Sequence, residues 1–361
     1  MVVSQFESEY FVRDIPPVVI AGVSDAVAVK VQIAGKTLDL TYFPFNGEAV
    51  IRDLSETVEK FMRAVDSASL VYDANGTATI EAGKVLSIHI ECGGQSEDLQ
   101  TFVRYSTMHT SMSSEGVILS RCAERVYDVD DYIYLSYLVA SPFVQMAARL
   151  ICIGVDNDTY HDVMFTNSYS GTRYLRTYKL TAAMLASRAG VDVKKIMKII
   201  FYVKASSGAV DSLECNINHN GRRGKTVFVY DSSFGVPESV SFLGKAEEKE
   251  KHEAEIVKTG DGFLASSECA PAEITVESGA MSEMKYYSAL DMLRSEHVYV
   301  CEGGELKRVA IKSFDNFKQS PRYSCLSGTV TYVMSDAVRT VARSERAESN
   351  LFDVEFGKVF D

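Results

Sequence analysis

The chain has 361 residues, of which 46% are hydrophobic and 24% are charged, and its formal net charge is -12. These proportions are typical of a folded globular protein and exclude an intrinsically disordered chain. The length predicts two or three domains. Because the net charge would repel a phosphate backbone, we expect no nucleic-acid partner unless a local basic patch overrides it.

Targeting signals are not legible in the sequence. No stretch approaches the roughly 20 apolar residues that span a bilayer, so we expect no membrane insertion. The first ten residues contain Glu7 and Glu9 and no basic segment, which argues against a secretory signal. The seven cysteines are scattered and form no Cys-x-x-Cys pair, which predicts reduced thiols packed as small hydrophobes and cytoplasmic synthesis and assembly.

Alternation of apolar and polar residues predicts many short strands and hence a mainly β fold. The first three strands centre on residues 27–33, 38–42 and 86–90, each with apolar residues at every second position. This pattern is typical of antiparallel sheets with one solvated face, arranged as two or three β-sandwich-like domains. Further strands are predicted at 132–138, 149–155, 174–180, 196–203, 225–230, 272–277, 306–312 and around 329–332.

Three short helices interrupt the strands. Asp53 is a candidate cap for a helix with Leu54, Val58, Phe61 and Met62 on one face. A second helix is predicted over 181–189 and ends at Gly190, since glycine favours the left-handed conformation that closes a helix. A third helix is predicted from a Ser282 cap to about Arg294. These few helices show no βαβ rhythm, which disfavours a doubly wound sheet.

Two changes in composition predict the domain boundaries. The Ser- and Thr-rich segment 106–116 predicts a linker, and Pro237 follows a turn that marks a second joint. We therefore predict an N-terminal β domain with one helix, a tyrosine-rich central β domain, and a C-terminal β domain with one helix. Their ranges are 1–105, 117–236 and 237–361. The charged run 245–255 predicts a solvated hairpin tip or strand edge.

Several fragments imitate catalytic motifs without completing them. His252 and Glu253 begin like a zinc-protease helix, but Ile256 stands where the second histidine is needed. Ser282 and Lys285 match S-x-x-K, but the K-T-G at 258–260 precedes them instead of following. We find no phosphate-binding loop and no dinucleotide fingerprint. The sequence therefore predicts no catalytic residue, no cofactor and no enzymatic activity.

Two acidic clusters are candidate metal sites. In 156–162, carboxylates at the first, third and seventh positions could offer oxygens to calcium. An EF-hand loop also requires Gly at position six and Glu at position twelve, where this chain has His161 and Asn167. We therefore predict an Asx-rich turn and no metal ligands. The same interpretation holds for the cluster Asp128, Asp130 and Asp131.

Other candidate interaction residues are basic or aromatic. Arg222 and Arg223 could present two cations to an anion, although the glycines around them favour a tight turn between the strands at 213–217 and 225–230. A glycan platform could use the tyrosines of the central region, but tyrosines in sheets are more often strand formers and interface residues. These tyrosines are Tyr127, Tyr132, Tyr134, Tyr137, Tyr160, Tyr169, Tyr174 and Tyr178.

The last residues combine a polar linker with a one-sided strand. After the polar segment 344–350, Phe352, Val354 and Phe356 alternate with Asp353 and Glu355. Such a segment is too short to be stable alone, so its apolar face must be buried. It either docks on its own domain or acts as an assembly arm that binds a neighbouring molecule.

Four stretches carry a family resemblance. They are FVRDIPPVVIAG at 11–22, LDLTYFPFNGEAVIRDL at 38–54, VFVYDSSFGVPESVSFLG at 227–244 and YSCLSGTVTYVMSD at 323–336. Together they resemble a group of prophage-encoded, tail-associated structural proteins built from serial β-domains. The resemblance implies a virion or tail-assembly component with no catalytic residues, whose partners are other structural proteins or copies of itself. The alternative is a glycan- or cell-surface-binding adhesion protein of β-sandwich type.

Overall fold

The structure, a computed structural model, describes residues 1–81, 83–108, 118–120, 124–139, 145–154, 158–165, 174–205, 208–219, 224–249, 252–259, 262–269, 272–319 and 326–335. Over these residues the chain is mainly β, which confirms the predicted fold class. The strands are β1 (Val2–Val3), β2 (Glu9–Phe11), β3 (Val18–Ala21), β4 (Val27–Ile33), β5 (Lys36–Tyr42), β6 (Glu48–Ile51), β7 (Thr77–Glu81), β8 (Lys84–Cys92), β9 (Gln95–Arg104), β10 (Glu124–Asp128), β11 (Ile133–Val139), β12 (Gln145–Cys152), β13 (Thr159–Met164), β14 (Tyr174–Leu180), β15 (Ile196–Ala205), β16 (Gly208–Asn218), β17 (Thr226–Asp231), β18 (Pro237–Phe242), β19 (Ala246–Lys249), β20 (His252–Thr259), β21 (Gly262–Cys269), β22 (Glu273–Glu277), β23 (Val298–Glu302), β24 (Glu305–Gln319) and β25 (Leu326–Met334).

The three predicted helices are present as α1 (Leu54–Phe61), α2 (Ala182–Ala189) and α3 (Glu283–Arg294). At α2, the Thr181 hydroxyl accepts a hydrogen bond from the Met184 N–H, and Gly190 ends the helix with φ of +68°. The Ser282 hydroxyl caps α3 in the same way, accepting from the Lys285 N–H. Asp53 occupies the cap position of α1, but its side chain makes no capping hydrogen bond. The helix boundaries were thus predictable, but the side-chain cap expected at Asp53 is not formed.

The chain divides into two compact units. Unit 1 contains residues 1–221 and 231–238, and unit 2 contains residues 222–230 and 239–361. The chain therefore passes between the units three times, and the short segment 231–238 belongs to unit 1. The predicted boundaries near 106–116 and at Pro237 stay predictions.

The described residues of unit 1 form four sheets. Two sheets lie in its N-terminal part, with strand orders β1-β3-β6 and β2-β9-β8-β4-β5. Two more have the orders β10-β16-β15-β12-β13 and β11-β14-β7. Most pairs are antiparallel, but β2 pairs with β9 and β10 pairs with β16 in parallel register at sheet edges. Since β7 pairs with β14, the N-terminal part also supplies a strand to a later sheet.

Two large apolar cores fill unit 1. The first buries the inward residues of β4 and β8 together with Leu54 and Val58 of α1. The second buries β11, β12 and β15 residues such as Leu135 and Phe201, with Leu185 of α2 packed on them. Cys92, Cys152 and Cys215 lie buried in these cores, where the sequence predicts that thiols pack as small hydrophobes. Among the described cysteines, these three and Cys301 form no disulfide.

Unit 2 contains a seven-stranded sheet of order β18-β17-β23-β24-β25-β22-β19 and the separate hairpin β20-β21. Its core places Phe228 against Phe242 and Tyr332, with ring centroids 5.2 and 5.5 Å apart. The edge strand β19 is exposed at every position, which confirms a solvated strand edge for this part of the charged run. β16 and β17 belong to different sheets, and the tight turn predicted around Arg222 and Arg223 lies outside the described residues.

Candidate functional site

A cleft of about 420 Å³ opens in unit 1, a size typical of ligand-binding pockets. Its apolar lining comes from elements distant in sequence. Phe11 ends β2, and Phe61 and Met62 lie at the end of α1. The remaining large apolar residues of the lining are Leu119, Leu175 and Phe234.

The turn between β17 and β18 supplies one wall of the cleft. The Gly235 N–H donates to the Ser232 carbonyl at 2.7 Å, and the Val65 N–H donates to the Gly235 carbonyl at 3.2 Å. Gly235 has φ of +68°, and a Cβ there would lie 2.6 Å from Cδ1 of Tyr105. Only glycine fits this position without displacing a ring of the cleft wall. The turn places Phe234 edge-on to Phe11, with centroids 6.1 Å apart.

Cations surround this apolar lining. Lys36, Lys60 and Arg63 are exposed at the rim, and among the described residues none of the three forms an ion pair. Lys84 also lines the cleft and is paired with Glu81, which is the one carboxylate of the lining. The rim is therefore positively charged within a chain whose net charge is -12. This is a local basic patch of the kind that overrides the average charge.

A fifth cation, Arg104, lies buried in the wall. Its Nη2 is 2.8 Å from Oε2 of Glu9, and its guanidinium lies over the rings of Phe11 and Phe102 at 5.9 and 5.6 Å. A buried guanidinium with a carboxylate partner and two ring faces is held in one position. Arg104 thus orients Phe11, while its own charge is compensated by Glu9.

Behind the cleft, polar side chains fasten the segment 231–238 to the rest of unit 1. Asp231 accepts hydrogen bonds from both the N–H and the hydroxyl of Ser67. Glu238 pairs with Arg125, which also donates to the Tyr134 carbonyl at 3.2 Å. Burial, above all, raises the pKa of the neighbouring Tyr72 to about 12, with a smaller contribution from the charge of Asp231. These buried contacts fix the wall that carries Phe234 and Gly235.

A second feature of unit 1 is an aromatic projection after β5, which we call the knob and define as Phe43, Pro44 and Phe45. Both phenylalanines are about 80% exposed, at 80% and 79%. Phe45 and Glu48 exchange two backbone hydrogen bonds across Asn46 and Gly47, which have φ of +52° and +82°. Two consecutive positive φ values are typical of a tight hairpin turn. The turn holds the two rings out in a defined position.

The structure does not describe the interaction residues that were predicted from the sequence. Arg222, Arg223, Phe352, Val354 and Phe356 lie outside the described residues, so their proposed interaction roles stay predictions. In the acidic segment 156–162, Asp162 is described, and both of its carboxylate oxygens accept from Arg149, at 2.8 and 3.0 Å. This ion pair lowers the pKa of Asp162 and occupies a carboxylate that calcium would need.

The second acidic cluster forms a turn, as the sequence analysis favoured. The Asp131 carboxylate accepts a hydrogen bond from the Asp128 N–H at 2.9 Å, and the Asp128 carboxylate accepts from the Asn218 amide. Over the described ranges, no group of three or more His, Cys, Asp or Glu side chains could hold a metal ion. In the same part of the chain, no helix is long and apolar enough to cross a membrane.

Several of the tyrosines that a glycan platform could have used belong to the core. Tyr127, Tyr134, Tyr137 and Tyr178 are all less than 4% exposed, and Tyr137 stacks on Tyr178. Tyr160, in contrast, is 64% exposed on the edge strand β13. The four buried rings are strand formers of the packed sheets and cannot stack on a sugar.

The cleft was missed by sequence reasoning because its cations come from separate elements and share no spacing. The one local signal is the sequence Lys60-Phe61-Met62-Arg63, where two basic residues flank two apolar residues at a helix end. The knob had a clearer signal, two phenylalanines directly before Asn-Gly. In comparisons with known proteins, no family model and no curated protein matches the chain.

Proposed function

We propose that this chain is a non-enzymatic assembly protein that acts through protein–protein contacts, and that the cleft is one of its docking sites. The observation that carries the proposal is the chemistry of the cleft. An apolar lining of five or more large side chains lies under a rim of exposed cations, Lys36, Lys60 and Arg63. Such a site favours a ligand with apolar side chains and nearby negative charges, which a protein segment can supply.

The exposed knob supports the same proposal from a second direction. Large aromatic side chains that project into solvent mark protein interaction sites, since burying one such ring removes about 150–250 Å² of surface from water. Among the described residues of unit 1, none of the three apolar clusters includes Phe43 or Phe45. A partner that covers these two rings would bury apolar surface that is exposed to water in the isolated chain.

The resemblance to prophage tail proteins agrees with an assembly role. Three of its four stretches supply residues of the cleft or the knob, namely Phe11, the knob residues and Phe234. We therefore propose the virion tail as the setting of the assembly, with other structural proteins or copies of this chain as partners. The adhesion alternative loses support, because four tyrosines that it would use are buried.

A peptide titration tests the docking site. The peptide of residues 351–361, LFDVEFGKVFD, combines apolar and acidic residues in the way that the cleft should favour. Labelled with a fluorophore and titrated against the full chain, it should bind with micromolar affinity that falls as salt is raised. The double substitution Lys60→Glu with Arg63→Glu should weaken binding at least tenfold.

Two controls isolate the charge of the cleft. Lys194→Glu with Lys195→Glu makes the same change in net charge at two exposed lysines outside the lining, and should leave binding unchanged. A peptide with Asn, Gln and Asn at the positions of Asp353, Glu355 and Asp361 should bind more weakly. If the peptide does not bind, or if both double variants weaken it equally, the cleft is not a docking site for acidic, apolar segments.

A further inference from the structure

The knob and the cleft lie at opposite ends of one strand. Lys36, the first residue of β5, lines the cleft together with Ala34 of the preceding turn. Phe43 follows Tyr42, the last residue of β5. Seven residues of extended chain span about 23 Å. A knob held this far away by a strand and a tight turn cannot enter the cleft of its own unit.

The two features are complementary in chemistry. The knob offers two rings with about 80% of their surface exposed, and the cleft offers apolar walls that include Phe11, Phe61 and Phe234. Aromatic pairs gain energy beyond their area burial when they meet edge-on or offset. The volume of about 420 Å³ is large enough to admit protein side chains of this size.

The charges around the two features also match. Glu48 and Asp53 are exposed on the residues that follow the knob. Burial, and to a smaller extent the charge of Asp53, raises the pKa of Tyr42 at the base of the knob. Arg52 is the one exposed cation among these residues. The rim of the cleft instead carries Lys36, Lys60 and Arg63. A second copy of this acidic chain therefore approaches a positive rim with a predominantly negative surface.

We propose that the knob of one copy inserts into the cleft of a second copy, so that the chain associates head to tail through unit 1. This inference rests on the proposed docking role of the cleft and names a second copy as its occupant. Because the two surfaces are different, the first contact leaves a free cleft on one copy and a free knob on the other. Such a contact propagates, closing into a ring if the rotation between copies allows it and extending into a filament if it does not.

A single contact of this kind is small. Two phenylalanine rings and the walls that cover them bury less than the roughly 1,200 Å² at the lower limit of standard interfaces. Association should therefore depend on concentration, and it should be measured up to about 1 mM by sedimentation velocity and light scattering. We expect species larger than a dimer, whose fraction falls as salt is raised.

Complementation between two variants is the decisive test. Phe43→Ser with Phe45→Ser removes the knob and keeps the cleft, whereas Lys60→Glu with Arg63→Glu alters the cleft and keeps the knob. Each variant alone should be monomeric, since each lacks one half of the contact. In an equimolar mixture, the intact knob of the Lys60 and Arg63 variant can insert into the intact cleft of the Phe43 and Phe45 variant. The mixture should therefore form 1:1 dimers and nothing larger, because only one intact knob–cleft contact is possible per pair.

Separate control experiments test the folding of the variants and the specificity of the contact. Ile153→Ser with Tyr160→Ser removes two exposed apolar side chains of unit 1 at 53% and 64% exposure, and should associate as the unaltered chain does. Circular dichroism and the melting temperature should show that every variant is folded, since all the altered residues are exposed. A monomeric unaltered chain at the highest concentration overturns the inference, as does a knob variant that still associates or a mixture that stays monomeric. If the 351–361 peptide binds the cleft while any of these results is found, the docking role stands and only the second copy as occupant is rejected.

Discussion

Nη2 of Arg125 lies 2.7 Å from Oε1 of Glu238, and both side chains are almost completely buried within unit 1. The Arg125 guanidinium also reaches the hydroxyls of Ser120 and Tyr127. The pair joins the segment 231–238 to a strand more than 100 residues earlier in the chain. Ser120 and Tyr127 are neutral, so among these contacts the Glu238 carboxylate supplies the charge that balances Arg125.

Glu238→Ala should destabilise the protein by about 3–5 kcal/mol, because it leaves a buried guanidinium without its carboxylate. The control is the double substitution Arg125→Met with Glu238→Leu, which removes both charges and should cost much less. Urea denaturation measures both. A loss below about 1 kcal/mol for Glu238→Ala would contradict the assignment of this pair as a buried, mutually dependent ion pair.

Gly235→Ala should lower the melting temperature more than Gly190→Ala. Both glycines have φ of +68°, so both substitutions carry the cost of a left-handed alanine, about 1–2 kcal/mol. At Gly190 the added methyl group meets nothing within 4 Å, whereas at Gly235 it meets Tyr105 at 2.6 Å. Equal losses by calorimetry would show that the cleft wall yields to the methyl group without cost.

Raising the pH should destabilise the unaltered chain through Tyr72. Its pKa is about 12 in the folded protein and 10 in the unfolded chain, so the unfolded state releases its proton first. The contribution is therefore fully present below pH 10 and is lost as the pH rises towards 12, up to about 2.7 kcal/mol. In Tyr72→Phe, the difference in unfolding free energy between pH 9 and pH 11.5 should be smaller, because the variant has no phenol to titrate at this position. Identical pH profiles for the two proteins would mean that the hydroxyl is not buried from water.

His89 should titrate above the ordinary histidine range. Its Nε2 lies 2.9 Å from the Glu91 carboxylate and its Nδ1 lies 2.6 Å from the Asp98 carboxylate. The hydrogen bond to Glu91 and that to Asp98 both raise its pKa, since they stabilise the charged ring. Proton NMR should follow this titration, and Glu91→Gln with Asp98→Asn should return the pKa towards 6.5. An unchanged titration in that variant would rule out these two carboxylates as the cause.

Local patterns predicted the elements well, and their failures have physical causes. The strand predicted at 149–155 is β12 at Gln145–Cys152. Its start was missed because Met146, Ala147 and Ala148 are buried one after the other, so this part of the strand does not alternate between apolar and polar residues. The strand predicted at 306–312 extends to Gln319, with register shifts in its pairing with β25 that break the period of two. The parallel edge pairs depend on contacts between distant strands, which sequence periodicity does not encode.

The candidate site was much less predictable than the fold. Phe11, Leu175 and Phe234 form a small apolar cluster of their own, and Lys36 and Lys60 join it in the cleft lining from β5 and α1. Each of them is ordinary in its local sequence, so neither spacing nor motif distinguishes it. The buried Arg104 is an example, because an arginine at the end of a strand is usually solvated. Its burial requires Glu9, which reaches it through the parallel pairing of β2 with β9.

The position of residues 231–238 in unit 1 has a consequence for synthesis of the chain. Residues 222–230 of unit 2 are translated before unit 1 has received its last segment. On the ribosome, a nascent chain of 221 residues therefore lacks Asp231, Phe234 and Glu238. In that chain Ser67 cannot yet bond to Asp231, and Arg125 cannot yet pair with Glu238. Unit 1 can complete its folding only after residue 238 has left the exit tunnel, when the first strand of unit 2 has already emerged.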